Sequence, residues 1–331
     1  MRLVAAPDKF RGTATAVEVA AAVDRAASAA GWQCDLVPMA DGGEGTLDAL
    51  GGPNRTTLVT GPLGDLVEAG WRLHRSVAVV EMARASGIDL VDGPDGNDPI
   101  AAATHGTGEL ISAAVDAGAR RIIVGVGGSA TTDGGLGALR ALYPPQRLRG
   151  VDIVVACDVR TTFVDAAEVF AGQKGASVAQ IELLRRRLER LAQVYVEDYG
   201  IDVSGIEGSG AAGGLAGGLA ALGAALVPGF DLVADEVALD ERLEGADLVV
   251  TGEGFLDEQS FDGKVVGGVA QLAAEAGVPV LAIAGEVFDG VGDRILAVSL
   301  VERFGADRSR TATTACISEV VAAHLRAQTP D

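Results

Sequence analysis

The sequence predicts an α/β protein of two lobes, and three observations carry that reading. Its 331 residues exceed the ~250–300 at which one hydrophobic core stops growing. Apolar residues make up 48% of the chain and aromatics only 4%, so large cores must be filled mainly by Ala, Val and Leu. The 46 glycines gather in short runs at the ends of apolar segments, as in α/β proteins whose backbone approaches a ligand closely.

Residues 3–6 read as a first strand ending at Pro7-Asp8. Residues 14–30 have helical spacing with Thr13 or Thr15 as cap. Residues 35–39 read as a second strand running into Ala40-Asp41-Gly42-Gly43-Glu44-Gly45-Thr46, which makes a strand–helix–strand opening with a glycine-rich end. From 56 to 82 the pattern changes. Residues 57–60, 69–73 and 76–81 read as short strands without intervening helices, around the turn signal Gly61-Pro62-Leu63-Gly64-Asp65. That points to antiparallel pairing and the start of a second lobe. A helix follows over 108–117, then an apolar strand over 121–126 that runs straight into the loop 127–135. Next come a strand over 153–156 ending at Cys157-Asp158, a long charged helix over Val178–Tyr199, and an Ala/Gly-rich helix over 213–222. Residues 225–237 read as strand or hairpin. Alternation like that of the opening returns with strands at 248–251, 278–284 and 295–301 and helices at Val265–Ala276 and 318–328. Residues 1–55 and 245–331 are therefore expected to form a Rossmann-like parallel-sheet lobe, with 56–244 inserted as a mixed α/β lobe.

The formal net charge of −20 argues against nucleic acid or an anionic membrane surface as partner, since both demand clustered Lys and Arg. An anionic substrate would need locally placed cations. Cys34, Cys157 and Cys316 form no CxxC pair, so neither a zinc ribbon nor a disulfide framework is signalled. His74, His105 and His324 show no HxxxH spacing. The opening MRLVAAPDKF reads as a strand and not as a signal peptide, and no apolar run reaches the ~18 residues of a membrane span. A cytoplasmic protein is expected.

Loops of glycine with Asp, Glu, Thr, Ser or Lys follow strand after strand, where open α/β sheets bind their ligands. In the loop 127–135, backbone N–H groups and the hydroxyls of Ser129, Thr131 and Thr132 suit an anion, and Asp133 suits a metal or a substrate hydroxyl. From Gly125 the run also fits G-x-G-x-x-A, a weak dinucleotide signal. Gly208-Ser209-Gly210-Ala211-Ala212-Gly213 fits G-x-G-x-x-G without a clear preceding strand, and tight helix packing explains it equally well. No G-x-x-x-x-G-K-[ST] occurs, which excludes a P-loop. Only three lysines are present, Lys9, Lys174 and Lys264, each in a motif-like loop, while arginine supplies the other 23 basic residues. A lysine kept in such a chain marks either a site where a compact ammonium is needed or a chance survival on a loop. Asp8, Asp41, Asp133, Asp158 and Asp257 all fall at or near strand ends. Any one of them could be a cap or turn residue; five among glycines suggest chemistry. His105 reads as a local cap or turn.

Taken in order, these segments resemble the type I glycerate kinase family. The matching pieces include Ala6-Pro7-Asp8, Ala40-Asp41-Gly42-Gly43-Glu44-Gly45-Thr46, Gly106-Thr107-Gly108-Glu109, Gly127-Gly128-Ser129-Ala130-Thr131, Asp133-Gly134-Gly135, Cys157-Asp158, Gln173-Lys174-Gly175 and Gly210-Ala211-Ala212-Gly213. They continue with Thr251-Gly252-Glu253-Gly254, Asp257, Gln259 and Gly263-Lys264, and keep their order to about residue 285. The resemblance implies phosphorylation of a glycerate hydroxyl by ATP with Mg²⁺, in a cleft between two α/β lobes, with the 2-position favoured. On that footing Gly127, Gly128, Ser129, Thr131, Gly210, Gly213, Gly252 and Glu253 are expected to cradle phosphates. Lys174 and Lys264 neutralise developing charge, and Asp133, Asp158 or Glu253 holds Mg²⁺. Asp8 or Asp41 orients the hydroxyl as base, while Lys9, Gly42, Gly43, Glu44 and Asp257 contact the substrate. The chain departs from the family at Lys9 and Arg11, at Thr132 where Asn is common, at Ala171-Gly172, at Phe255 where Arg is typical, and in a shortened 142–150 segment. These departures bear on substrate and turnover more than on fold. The alternatives are a kinase for another small hydroxy acid, a catalytically weak relative that binds a nucleotide or sugar acid, and, less well supported, a dinucleotide oxidoreductase.

Overall fold

The computed structural model describes residues 1–288, 290–291 and 294–328. Eleven strands are found among them: β1 (Arg2–Ala5), β2 (Gln33–Leu36), β3 (Arg55–Thr60), β4 (Leu66–His74), β5 (Val77–Glu81), β6 (Arg121–Gly125), β7 (Asp152–Cys157), β8 (Ala225–Pro228), β9 (Leu248–Leu256), β10 (Val280–Val287) and β11 (Ala297–Ser299). The chain divides into two compact units, Met1–Asp41 with Asp48–Leu50 and Phe230–Asp331, and Gly42–Leu47 with Gly51–Gly229. Residues 230–244 thus belong to the first unit, and 42–47 and 51–55 to the second, where 1–55 with 245–331 and 56–244 were expected.

The first unit is a five-stranded sheet in the order β11-β10-β9-β1-β2, parallel throughout. Its inner strands β1, β9 and β10 are apolar on both faces over most of their length, as a parallel sheet covered on both sides requires. Leu3, Ala5, Leu248, Val250, Leu281 and Ile283 pack under the helices Ala16–Ala29 and Thr313–Gln328. Val4 and Val249 face the opposite layer, where Phe230, Val233, Val265 and Val269 sit. The helix Ala16–Ala29 begins at a capping box: Thr15 accepts from the Glu18 N–H while the Glu18 carboxylate accepts from the Thr15 N–H. The helix Val265–Ala276 ends where expected, at Gly277 with φ 71°.

The second unit is a six-stranded sheet in the order β3-β4-β5-β6-β7-β8. The pairs β3/β4 and β4/β5 are antiparallel, as the run of short strands predicts, and the rest are parallel. The long helix Val178–Tyr199 has the expected bounds. It starts at the Ser177/Gln180 capping box, stops at Gly200 with φ 74°, and buries one stripe, Leu184, Leu188, Ala192 and Tyr195.

Four expectations need correction, the first being the last strand: only Ala297–Ser299 of 295–301 is strand, and Leu300–Phe304 is a helix. Only 225–228 of the 225–237 segment is strand, and Gly229–Glu236 is a helix that buries Phe230, Val233 and Ala234 at helical spacing. The second strand is Gln33–Leu36 rather than 35–39, starting and ending earlier than expected. Gly252-Glu253-Gly254 is not a loop after a strand but the middle of β9. A Cβ on Gly252 would lie 2.0 Å from the Ile283 carbonyl oxygen, so glycine is there to let β9 and β10 approach. No helix among the described residues is long and apolar enough to cross a membrane.

Candidate active site

In the first unit, the loop after β1 carries Asp8 and Lys9. Asp8 is 7% exposed, with its N–H bound to the Gly252 carbonyl of β9 at 2.9 Å. Its Oδ1 accepts from the Lys9 N–H at 2.6 Å. The Lys9 ammonium lies 3.6 Å from Asp8 and 3.7 Å from Asp41, which follows β2. Burial pushes the Asp8 carboxyl up to about 6; the Lys9 charge opposes this and the Asp41 charge adds to it. Glu253 on β9 is pushed up to about 7, again by burial first, with a hydrogen bond from Ser260 and the Lys264 charge opposing and Asp8 and Asp257 adding. Its Oε1 is buried without a hydrogen-bond partner among the described residues. Asp257 caps the short turn Glu258–Phe261, trading hydrogen bonds with Ser260. Lys264 stands immediately before the helix Val265–Ala276. A cavity of about 270 Å³ in the same unit is lined by Phe10, Arg11, Gly254, Phe255, Glu286 and Arg310.

In the second unit, the loop after β6 is built around a buried lysine. Lys174 is 4% exposed and ends a short 3₁₀ turn closed by Gly175 at φ 92°. Its ammonium donates to Ser129 Oγ at 2.7 Å and to the Thr131 carbonyl at 2.6 Å. Burial lowers it to about 7, with the nearby Asp133 charge opposing. Asn97 ties the two segments together, donating from Nδ2 to the carbonyls of Ala130 and Lys174. The hydroxyls of Thr131 and Thr132 are buried and have no hydrogen-bond partner among the described residues. Gly127 and Gly128 open this loop, and the Gly128 carbonyl accepts from the Ile88 N–H.

Asp133 is engaged. Its two oxygens accept from the Thr104 N–H and hydroxyl and from the N–H groups of Gly135 and Gly137, which fills the roughly four acceptor positions of a carboxylate. Gly213 (φ 65°) belongs to the same packing: a Cβ there would meet the Thr131 carbonyl oxygen at 2.0 Å, and its own carbonyl accepts from the Gly134 N–H. Gly210 N–H bonds the Thr161 carbonyl. The tight-packing account of the 208–213 run therefore has direct geometric support. Asp158 is exposed after β7.

The expected residues fall into two groups. Asp8, Lys9, Asp41, Gly252, Glu253, Asp257 and Lys264 lie in the first unit. Gly42, Gly43, Glu44, Gly127, Gly128, Ser129, Thr131, Asp133, Asp158, Lys174, Gly210 and Gly213 lie in the second. The three expected metal ligands are thus divided, and among the described residues no group of three or more His, Cys, Asp or Glu side chains is set to hold a metal.

Two organising residues escaped the sequence reading. Glu81, 2% exposed at the end of β5, accepts from the N–H groups of Gly45 and Leu47 at 2.8 Å each and so fixes the 42–47 loop. An acid closing an otherwise buried apolar strand was its signal. Tyr195, on the buried stripe of Val178–Tyr199, donates its hydroxyl to the Gly134 carbonyl at 2.8 Å.

Comparison with known proteins gives the family. The pattern of the glycerate kinase family matches residues 3–143 and 144–326. The chain is 41% identical to a glycerate kinase of Halalkalibacterium halodurans, over 87% of this chain and 86% of that one. It is 39% identical to the glycerate 2-kinase of Escherichia coli K12, over 88% and 87%. A crystal structure assigned to glycerate kinase 2 of Salmonella typhimurium LT2 superposes with a TM-score of 0.84 at 35% identity, over 99% of both chains. The chain belongs to the glycerate kinase family.

Proposed function

We propose that the protein is a cytoplasmic kinase that transfers the γ-phosphoryl group of ATP to glycerate, with the 2-hydroxyl as acceptor and 2-phosphoglycerate as product. The observation that carries this reading is Lys174, an ammonium buried against Ser129 and Thr131 in a glycine-rich loop after a parallel strand. Phosphoryl transfer asks a protein for positioning and charge stabilisation more than for covalent chemistry. A phosphate beside Lys174 restores the charge that burial removes, and the charged lysine then stabilises the oxygen leaving with ADP. The hydroxyls of Thr131 and Thr132, without partners among the described residues, supply free donors.

In the first unit, Asp8 and Asp41 flank Lys9. A carboxyl held near 6 is ionised at neutral pH and still basic enough to take the proton of a hydroxyl as its oxygen bonds to phosphorus. Arg11 and Arg310 in the adjoining cavity suit the glycerate carboxylate, with Lys264 near Glu253 as a further cation. Mg²⁺ commonly takes only one or two protein carboxylates, with phosphates and water completing its shell, so no preformed cage is required. Glu253, with its orphaned buried oxygen, fits this demand; Asp133, with its oxygens occupied, serves instead to brace the loop. When bound, Mg²⁺ supplies charge neutralisation on the phosphates.

The test is ADP release by the purified protein with Mg-ATP, with and without D-glycerate, and ³¹P NMR of the product. Glycerate-dependent release with phosphorus on the 2-oxygen is expected. No release from folded protein that binds ATP overturns glycerate as substrate and turns attention to other hydroxy acids or to a binding role.

A further inference from the structure

A cavity of about 480 Å³ in the second unit lies on the loop that carries the proposed phosphate site. Its volume falls in the ~300–1,000 Å³ range of small-molecule sites, and a three-carbon acid would leave most of it empty. Leu136, Leu188, Leu191 and Val194 form apolar walls, and Thr132 lies in the lining with them. Thr132 is 2% exposed, and its hydroxyl has no hydrogen-bond partner among the described residues, although leaving a buried hydroxyl unpaired is costly. Three arginines stand on the lining. Arg187 is bound to the Ile100 carbonyl and Arg190 to Gln193 and Glu197. The third, Arg140, has no hydrogen bond or ion pair from its guanidinium among the described residues. The lining therefore offers apolar walls, one unused hydroxyl and one cation outside any ion pair, beside the Asp133 carboxylate whose oxygens are already taken by Thr104, Gly135 and Gly137. Thr132 directly follows Thr131, whose carbonyl holds the Lys174 ammonium, so one short stretch of chain serves both cavity and lysine.

We propose that this cavity takes the nucleoside end of the phosphoryl donor: a purine ring on the leucine and valine walls, with its ribose-phosphate side toward Arg140 and the Thr132 hydroxyl. The inference rests on ATP being the donor. Binding, measured apart from turnover, tests it. Isothermal titration of the full chain with ADP and with tripolyphosphate separates the nucleoside from the phosphates. Leu191→Trp, which fills the space between the apolar walls, is expected to weaken ADP at least tenfold and leave tripolyphosphate unchanged. Arg140→Ala, at an exposed position, is expected to weaken ADP several-fold without affecting folding. Photolabelling of the wild-type chain with 2-azido-ADP should mark peptides containing 100–103 or 187–194, which covers the case in which Leu191→Trp fails to fold. Unchanged ADP affinity in both variants, labelling elsewhere, or no ADP binding by the wild type overturns the proposal. Loss of ADP binding in the variants of a protein that does not phosphorylate glycerate would uphold the cavity and sink the glycerate assignment. Glycerate turnover with an unaltered KM for ATP in both variants would do the reverse.

Discussion

An ammonium that burial brings down to about 7 is useful to a kinase only if the incoming ligand restores its charge. Lys174 therefore makes a prediction about protons. ATP binding at pH 8 should be accompanied by proton uptake, read from titrations in buffers of different ionisation enthalpy, and Lys174→Met should abolish it. The same variant should lower turnover by about a hundredfold or more, the range found when one electrostatic donor is removed, while Met fills the apolar burial. For the wild type, kcat/KM should rise with pH through about 6 as Asp8 ionises and fall above about 7 as free-enzyme Lys174 loses its proton. The falling limb of kcat should lie higher, because bound phosphate holds that proton. Glu253 makes a separate prediction about stability. A carboxyl raised from 4.5 to about 7 keeps its proton longer in the folded chain than in the unfolded one. Stability is therefore lost as pH rises through that window. Glu253→Gln should exceed the wild type at pH 8 by on the order of 1–3 kcal/mol and converge with it near pH 4, as urea unfolding at the two pH values would show.

At the scale of elements, the 42–47 loop is held by an acid from β5. Glu81→Ala should free the Gly45 and Leu47 N–H groups and cut turnover more than it cuts stability, with Glu81→Gln recovering part of the loss; equal activity in Glu81→Ala would remove the loop from the mechanism. Gly252→Ala should destabilise by more than ~3 kcal/mol, since overpacking against backbone cannot relax by a rotamer change. Elements whose signals are local were legible in the sequence. The charged run Val178–Tyr199 reads as one helix with its observed bounds, Gly277 ends another, and Gly61-Pro62-Leu63-Gly64-Asp65 announces an antiparallel turn. The helix Gly229–Glu236 was not, because Ala225, Leu226, Val227 and Val233 suit strand and helix alike, and only packing against the first-unit sheet decides between them. The candidate site was legible as residue types in loops but not as roles. Asp133 reads as a metal ligand until Thr104, 29 residues away, is seen to occupy it. Glu81 acts on a loop 34–36 positions earlier, a separation that no periodicity reveals.

For the whole molecule, the net charge of −20 repels a polyanionic donor, and the cations available to it are few and local. Screening over the ~8–10 Å Debye length of 0.10–0.15 M salt should relieve that repulsion. The expected result is a kcat/KM for ATP that increases between 10 and 150 mM KCl, opposite to the trend for enzymes that attract their substrate; a decrease would mean that the local cations dominate the field. The strand order of the first unit, β11-β10-β9-β1-β2, has a consequence for the newborn chain. β1 lies between β2 and β9, yet β9 is synthesised roughly 200 residues after β2. At ~5–20 residues per second, the ribosome leaves one edge of β1 without its neighbour for ~10–40 s, while the second unit has all of its own strands. That nascent edge is the stretch a chaperone would have to shield.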